Sequence, residues 1–113
     1  MEMKPAVSSL AALAHGGRLS IFRLLVQAGA DGLASGEIAR RMSVLPNTLS
    51  ASLNVLSGAG LVRSRRDGRS IIYTADYAAM RELLAYLMED CCGGSPEICA
   101  PLAAVVNQRC ADA

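Results

Sequence analysis

The stretch SVLPNTLSASLNVLSGAGLVRSRRDGRSIIY, residues 43–73, changes period halfway along and so decides the architecture. In its first half Leu49, Leu53 and Leu56 recur at helical spacing, the mark of a helix that buries one face. Pro46 suits the first turn of that helix, where a missing N–H forfeits no hydrogen bond. Gly60 stands where a left-handed cap belongs, and Leu61 can close over it. After Leu61 the helical period disappears. The runs 61–66 and 69–73 flank Asp67-Gly68, and Asp-Gly between such runs predicts a tight two-residue hairpin.

Working outward, Val7, Leu10, Leu13 and Ala14 share helical spacing and predict a first helix over 5–15, broken by Gly16-Gly17. A second helix is expected over 18–28, with Leu19, Phe22, Leu25 and Val26 on one face and Gly29 as its stop. Ser35 predicts the cap of a short third helix in which Ile38, Ala39 and Met42 point inward. Beyond the hairpin, Tyr77, Met80, Leu83, Leu84, Leu87 and Met88 predict a long fifth helix over 75–90. The run Cys91-Cys92-Gly93-Gly94-Ser95-Pro96 ends it, and a last short helix is expected near Pro101. The expected fold is mainly α with one two-stranded β hairpin. Four helices precede the hairpin and one follows it, in a folded unit over 1–90 with a cysteine-bearing tail over 91–113.

With 113 residues, 52% of them apolar, the chain is one domain able to bury a core without staples. That composition excludes disorder, a collagenous repeat and a multi-domain enzyme. No nucleophile–base pair, paired carboxylates or phosphate-binding glycine loop can be read. A Cys-x5-Arg phosphatase-like loop is also missing, because Glu97 and Ile98 stand six residues after Cys91 and Cys92. No long apolar h-region is read before Arg18, so no targeting segment is expected. The apolar run Ile98–Val106, interrupted by Pro101, is too short to span a bilayer. A cytoplasmic protein with reduced thiols and no membrane partner is expected.

The net charge of +1 conceals an asymmetry. Residues 1–75 carry nine basic and four acidic side chains, and residues 76–113 carry two basic and six acidic. Within the hairpin Arg63, Arg65, Arg66 and Arg69 face only Asp67, and Arg40-Arg41 add a second basic spot. A basic hairpin beside two helices laid out as a helix–turn–helix is a candidate phosphate-binding footprint. The fourth helix carries only short polar groups beside its leucine stripe: Asn47, Thr48, Ser50, Ser52 and Asn54. Exposed helices usually favour Glu, Lys and Arg, whereas Asn, Ser and Thr on a close-approaching helix can read base edges in a major groove. Single strands and RNA are disfavoured by the scarcity of aromatic residues, since only Phe22, Tyr73, Tyr77 and Tyr86 are present.

These residues carry a resemblance. ALAHGGRLSIF at 12–22, PNTLSASL at 46–53, AGLV at 59–62 and RRDGR at 65–69 resemble, in order and spacing, signatures of ArsR/SmtB-type winged-helix repressors. The resemblance covers about residues 7–90. It implies a homodimer that releases double-stranded operator DNA when a metal or metalloid binds. The fourth helix would be the recognition helix, the hairpin the wing, and the first and fifth helices the dimer interface. Asn47, Thr48, Ser50, Ser52 and Asn54 would then contact bases, and Arg65, Arg66 and Arg69 would contact phosphates. The chain departs from the family in three places. It lacks the proline often found near Gly16-Gly17. Ser52 stands where His is common. The third-helix segment Ala34-Ser35-Gly36-Glu37-Ile38 has no Cys-x-Cys pair.

The thiols lie elsewhere: Cys91, Cys92, Cys99 and Cys110 are the only cysteines. The adjacent pair with a third nearby resembles an arsenite-sensing subgroup whose ligands follow the fifth helix. Soft thiolates select thiophilic metalloids, and trivalent arsenic takes three sulfurs, matching Cys91, Cys92 and Cys99 in number. Gly93-Gly94 lets the chain fold back on the pair. Glu89, Asp90 and Glu97, with the end of a helix nearby, oppose a reactive thiolate. The neutral tris-thiolate of arsenic tolerates that setting. Expected effectors are As(III), Sb(III) or a trivalent methylarsenical, with no permanent cofactor. Zinc is the main rival metal but favours four ligands in CxxC-type pairs. Cys110 would lie roughly 16 Å from Cys99 along a continuous helix, and it is read as a spare tail thiol. The functional expectation is an arsenic-responsive repressor. A winged-helix repressor with a thiol redox switch and a zinc-stabilised interaction module are the alternatives.

Overall fold

The leucine stripe organises the molecule. In the computed structural model, which describes residues 1–89, Leu49, Leu53 and Leu56 are buried against Phe22, Leu25, Ile38 and Leu61. The elements around them run α1 (Met3–Leu13), α2 (Gly16–Ala28), β1 (Leu33–Ala34), α3 (Ser35–Met42), α4 (Pro46–Gly58), β2 (Val62–Asp67), β3 (Ser70–Ala75) and α5 (Tyr77–Met88). The fold is mainly helical with a small antiparallel wing, as expected. The short helix expected near Pro101 and the division at residue 90 lie outside the described residues.

Two left-handed caps hold α4 in place. At its C-terminus Gly60 has φ +79°, its N–H donates to the Ser57 carbonyl at 3.0 Å, and the Leu61 N–H donates to the Leu56 carbonyl at 3.0 Å. This pair of bonds closes the helix and folds Leu61 onto the leucine stripe, as its sequence predicts. At the turn before α4, Ser43 adopts φ +54°, with Val44 N–H donating to the Ala39 carbonyl at 3.1 Å. The same kind of cap therefore ends α3 and aims the chain into α4.

The remaining helices are fastened by side chains. His15 caps α2, its Nδ1 accepting from Gly17 N–H at 3.2 Å. Gly16-Gly17 thus begins α2 and does not form a longer break. Arg18 Nε donates to the Ala12 carbonyl at 2.6 Å, satisfying one of the open carbonyls at the end of α1. The Tyr77 hydroxyl donates to the Val26 carbonyl at 2.9 Å, joining α5 to the end of α2.

Several expectations are revised. Leu19 is exposed, and Ile21 takes the buried position beside Phe22 and Leu25. On α1 the buried residues are Ala6, Ser9 and Ala12, while Val7 and Leu10 face outward. Ala34, not Ser35, occupies the cap position of α3. The hairpin loop is Gly68-Arg69, with Asp67 paired to Ser70. Glycine at the first central position, with φ +63°, matches the mirror-image turns that the twist of two strands favours. The loop thus sits one residue later than expected, because the left-handed requirement falls on Gly68 and Asp67 remains in the ladder.

The wing also has a third strand. β1 pairs with β3 through Leu33–Tyr73 and Ala34–Ile72, giving the order β1-β3-β2. Two residues are too few to display a strand period. What fixes this strand is Gly32, at φ +70°, where a Cβ would collide with the Tyr73 carbonyl and stand 2.5 Å from Thr74 Cγ2. Gly32→Ala combines a left-handed penalty with a backbone clash and should cost about 2–4 kcal/mol. Urea unfolding of the two proteins measures it, and an unchanged midpoint would remove this role from Gly32.

Candidate nucleic-acid interface

The leucine stripe dictates what α4 can offer to a partner. Successive residues turn by about 100° around a helix, so burial of Leu49, Leu53 and Leu56 sends Asn47, Ala51 and Asn54 directly outward. Asn47, Thr48, Ser50 and Asn54 are exposed, and Ser52 is half-buried. Thr48 and Ser52 lie toward α2, and together with Asn47, Ala51 and Val55 they form one wall of a cleft. His15 and Arg18 form the other. Ser50 lies on the opposite flank. The five residues expected to read bases therefore share one exposed half of the helix, but they do not form a single row. Ala51 and Val55, which sequence reasoning missed because they are apolar, belong to the same surface. No local sequence signal marks the approach of His15 and Arg18 to α4, because it is set by how the start of α2 packs.

The wing arginines separate by the alternation of a strand. Ladder partners Arg66–Ile71, Ser64–Tyr73 and Val62–Ala75 lie on one face, and Arg65–Ile72 and Arg63–Thr74 on the other. Arg69 sits in the turn. Arg65 Nη2 donates to the Asp31 carbonyl at 3.2 Å, which steadies the ribbon and leaves most of the guanidinium's five donors available. Arg63 is used internally, with its Nε 3.0 Å from Asp76 Oδ2. Among the described residues neither Arg66 nor Arg69 has a carboxylate partner.

The second basic spot is muted. Glu37 bonds both Arg40 and Arg41, the latter through Nε at 2.7 Å. The hydrogen bond from Arg40, then that from Arg41, holds the Glu37 carboxyl below its ordinary range. Its negative charge therefore persists near neutrality and offsets one of the two arginines.

The four cysteines lie outside the described residues. Among the described residues no cluster of His, Cys, Asp or Glu could hold a metal ion, and no helix is long and apolar enough to cross a membrane.

A helix–turn–helix with an antiparallel wing defines the winged helix class, and known proteins agree. A sequence profile described as a helix-turn-helix domain matches residues 13–65. The chain is 37% identical over 73 residues to the uncharacterized HTH-type transcriptional regulator Rv0081 of Mycobacterium tuberculosis, covering 65% of this chain and 62% of that protein's length. The structure is similar to an ArsR-like transcriptional regulator from Rhodococcus sp. RHA1, with a TM-score of 0.68, 29% identity and 90% of each chain covered. It also matches the homodimeric winged helix-turn-helix DNA-binding domain of Mb0332 from Mycobacterium bovis, described as a possible ArsR-family regulator. There the TM-score is 0.63, identity is 31%, and 77% of this chain and 80% of that one are covered. The chain belongs to the ArsR family of winged helix-turn-helix transcriptional regulators. These relatives are regulators, in keeping with a sequence that offers no catalytic constellation.

Asp76 joins the wing to α5. Its Oδ1 accepts from Ala79 N–H at 3.0 Å, capping the helix, while Oδ2 receives Arg63. The Ala79 bond foremost, and Arg63 after it, hold its carboxyl below the ordinary value. A lowered folded-state value stabilises the fold above the usual aspartate range, near pH ~4. That contribution disappears as pH falls through the lowered value. Asp76→Ala should cost about 1 kcal/mol at neutral pH, mostly through removal of the cap, since the exposed ion pair adds little. Denaturation of both proteins at neutral and acid pH should show the gap closing in acid. A gap that stays constant with pH would contradict the assignment.

Proposed function

We propose that the chain is a cytoplasmic, homodimeric repressor of arsenic-resistance genes that binds double-stranded operator DNA. In this reading DNA is released when trivalent arsenic binds Cys91, Cys92 and Cys99. The observation that carries the DNA-binding part is the outward half of α4, with its short amide and hydroxyl side chains beside a wing bearing Arg65, Arg66 and Arg69. Asn47, Thr48, Ser50, Ser52 and Asn54 contact base edges, and the three arginines contact phosphates. The two faces of the wing give Arg65 and Arg66 phosphates on either side of the ribbon.

The dimer reading rests on an apolar surface that is exposed among the described residues. Met3, Val7 and Leu10 form an i, i+4, i+7 stripe on α1, and Leu87 is exposed on α5. The Tyr86 hydroxyl reaches Met3 Sδ at 3.6 Å, placing the two helices side by side. Leu83 of α5 is buried outside the main core cluster while Tyr77 and Met80 pack against that cluster, so Leu87 is the large apolar side chain that α5 leaves exposed among the described residues. The homodimeric state of the Mb0332 domain supports a homodimer, without specifying its interface.

Effector release follows from chain order. Three thiols condensing with As(OH)3 give a neutral tris-thiolate and three waters. Drawing Cys91, Cys92 and Cys99 onto one centre reorganises the chain directly after α5. Since α5 and α1 form the proposed interface, the two copies of α4 change their separation. They must meet half-sites roughly 34 Å apart, and a small mismatch weakens binding. The acidic neighbours of the thiols favour this neutral product over a thiolate redox switch. Sb(III) or a trivalent methylarsenical would use the same soft donors.

Arsenite titrated into a gel-shift of the protein on its own upstream DNA should release the duplex. Cys91→Ser with Cys92→Ser should stay bound, and release by that double variant contradicts the site. Replacing Arg65, Arg66 and Arg69 by Gln should lower the slope of log affinity against log salt by about one for each phosphate left unneutralised. Val7→Glu with Leu87→Glu should sediment as a folded monomer and bind the operator far more weakly. A dimer that survives this pair overturns the α1–α5 interface.

A further inference from the structure

Among the described residues Leu45 is the most exposed large apolar side chain, at 73%. A lone surface leucine ordinarily needs no explanation, but its position makes this one informative. It occupies the N-cap of α4, where it makes no side-chain cap bond. Ser, Thr, Asp or Asn there would satisfy an open N–H of the first turn. Its neighbour Val44 is turned inward and packs against the core, so the apolar residue that fixes the entry of the helix is already supplied. Leu45 therefore neither caps nor packs. A local rule broken without structural return marks a functional position.

The surroundings indicate its partner. Leu45 directly precedes Pro46, Asn47 and Thr48, at the end of α4 that the helix–turn–helix presents first to a major groove. Asn47 and Thr48 supply hydrogen-bonding groups, and Leu45 supplies none. A major groove holds one apolar feature, the C5-methyl group of thymine, which apolar side chains can cover. We infer that Leu45 is a specificity-determining residue that packs on a thymine methyl within each half-site. This rests on the DNA-binding reading above and adds an apolar contact to the hydrogen-bonding groups of Asn47 and Thr48.

The test uses a duplex that the wild-type dimer selects from a random-sequence library. Each thymine is then replaced singly by deoxyuridine, which deletes the methyl and preserves base pairing. One position per half-site should weaken wild-type affinity about fourfold, the effect of one buried methyl group. The same replacement should leave Leu45→Ala unchanged. Leu45→Ser should bind the thymine duplex more weakly yet melt at a higher temperature, because serine restores the cap. A merely structural leucine would move both readouts in the same direction. Equal sensitivity to uracil in wild type and Leu45→Ala, or none at any thymine, overturns the methyl contact while leaving DNA binding intact. A library that yields no duplex overturns the DNA-binding reading and the methyl contact with it.

Discussion

Burial of Leu49, Leu53 and Leu56 beneath Leu61 is the constraint on which the rest of the molecule depends. A helix with three leucines committed to one side has its rotation about its own axis fixed. The caps at Ser43 and Gly60 then fix where it begins and ends. Nothing about Asn47 or Asn54 holds them outward except this inward commitment. The wing is positioned by the same device, because the cap that folds Leu61 onto the stripe delivers the chain into β2. One apolar cluster thus sets the relation between the polar face of α4 and the arginines of β2. An interface split between a helix and a hairpin can thereby remain rigid in a small domain.

How much of this is legible in the sequence depends on the range of each signal. The α4 stripe, its C-terminal cap and the hairpin are local patterns, and each can be read from a few adjacent residues. The hairpin register differs by one because Asp-Gly and Gly-Arg are both acceptable loop pairs. The choice between them belongs to the whole β2–β3 ladder. The third strand is invisible in the sequence because Leu33-Ala34 exists only through its pairing with Tyr73 and Ile72. The only local trace is Gly32, whose need for glycine comes from residues some forty positions away. On α1 the period is right but its destination is not. Helical spacing of Val7 and Leu10 identifies an apolar stripe without saying what it meets, and within one chain alanines and a serine make the closer approach.

The candidate site is readable in its chemistry and less so in its arrangement. Residue type alone marks the short polar groups of α4 and the basic hairpin. Sequence does not show that Arg63 and Arg40 are already engaged by Asp76 and Glu37. Those ion pairs form once α3 is wound and once β2 is set beside the start of α5. His15 and Arg18 are likewise isolated residues in the sequence. Each has a fastening role in the fold, and together they wall the cleft beside Thr48 and Ser52.

The exposed apolar residues fall into groups that follow different rules. Met3, Val7, Leu10 and Leu87 are exposed on two helices that touch through Tyr86 and Met3, and grouped apolar residues of this kind are what a second protein surface covers. Leu45 stands away from them at the tip of α4, among amides and hydroxyls. An interface between copies of a chain tolerates substitution within a broad apolar area, because many side chains share the burial. A single leucine at the end of a reading helix has no such neighbours, and its effect depends on one small apolar group in the opposing groove. The first arrangement stabilises assembly without regard to DNA sequence. The second leaves the helix without a side-chain cap and, as proposed, would contribute discrimination. In the proposed methyl contact, sequence preference would come at the expense of local stability, and the leucine stripe beneath α4 is what would make that loss tolerable.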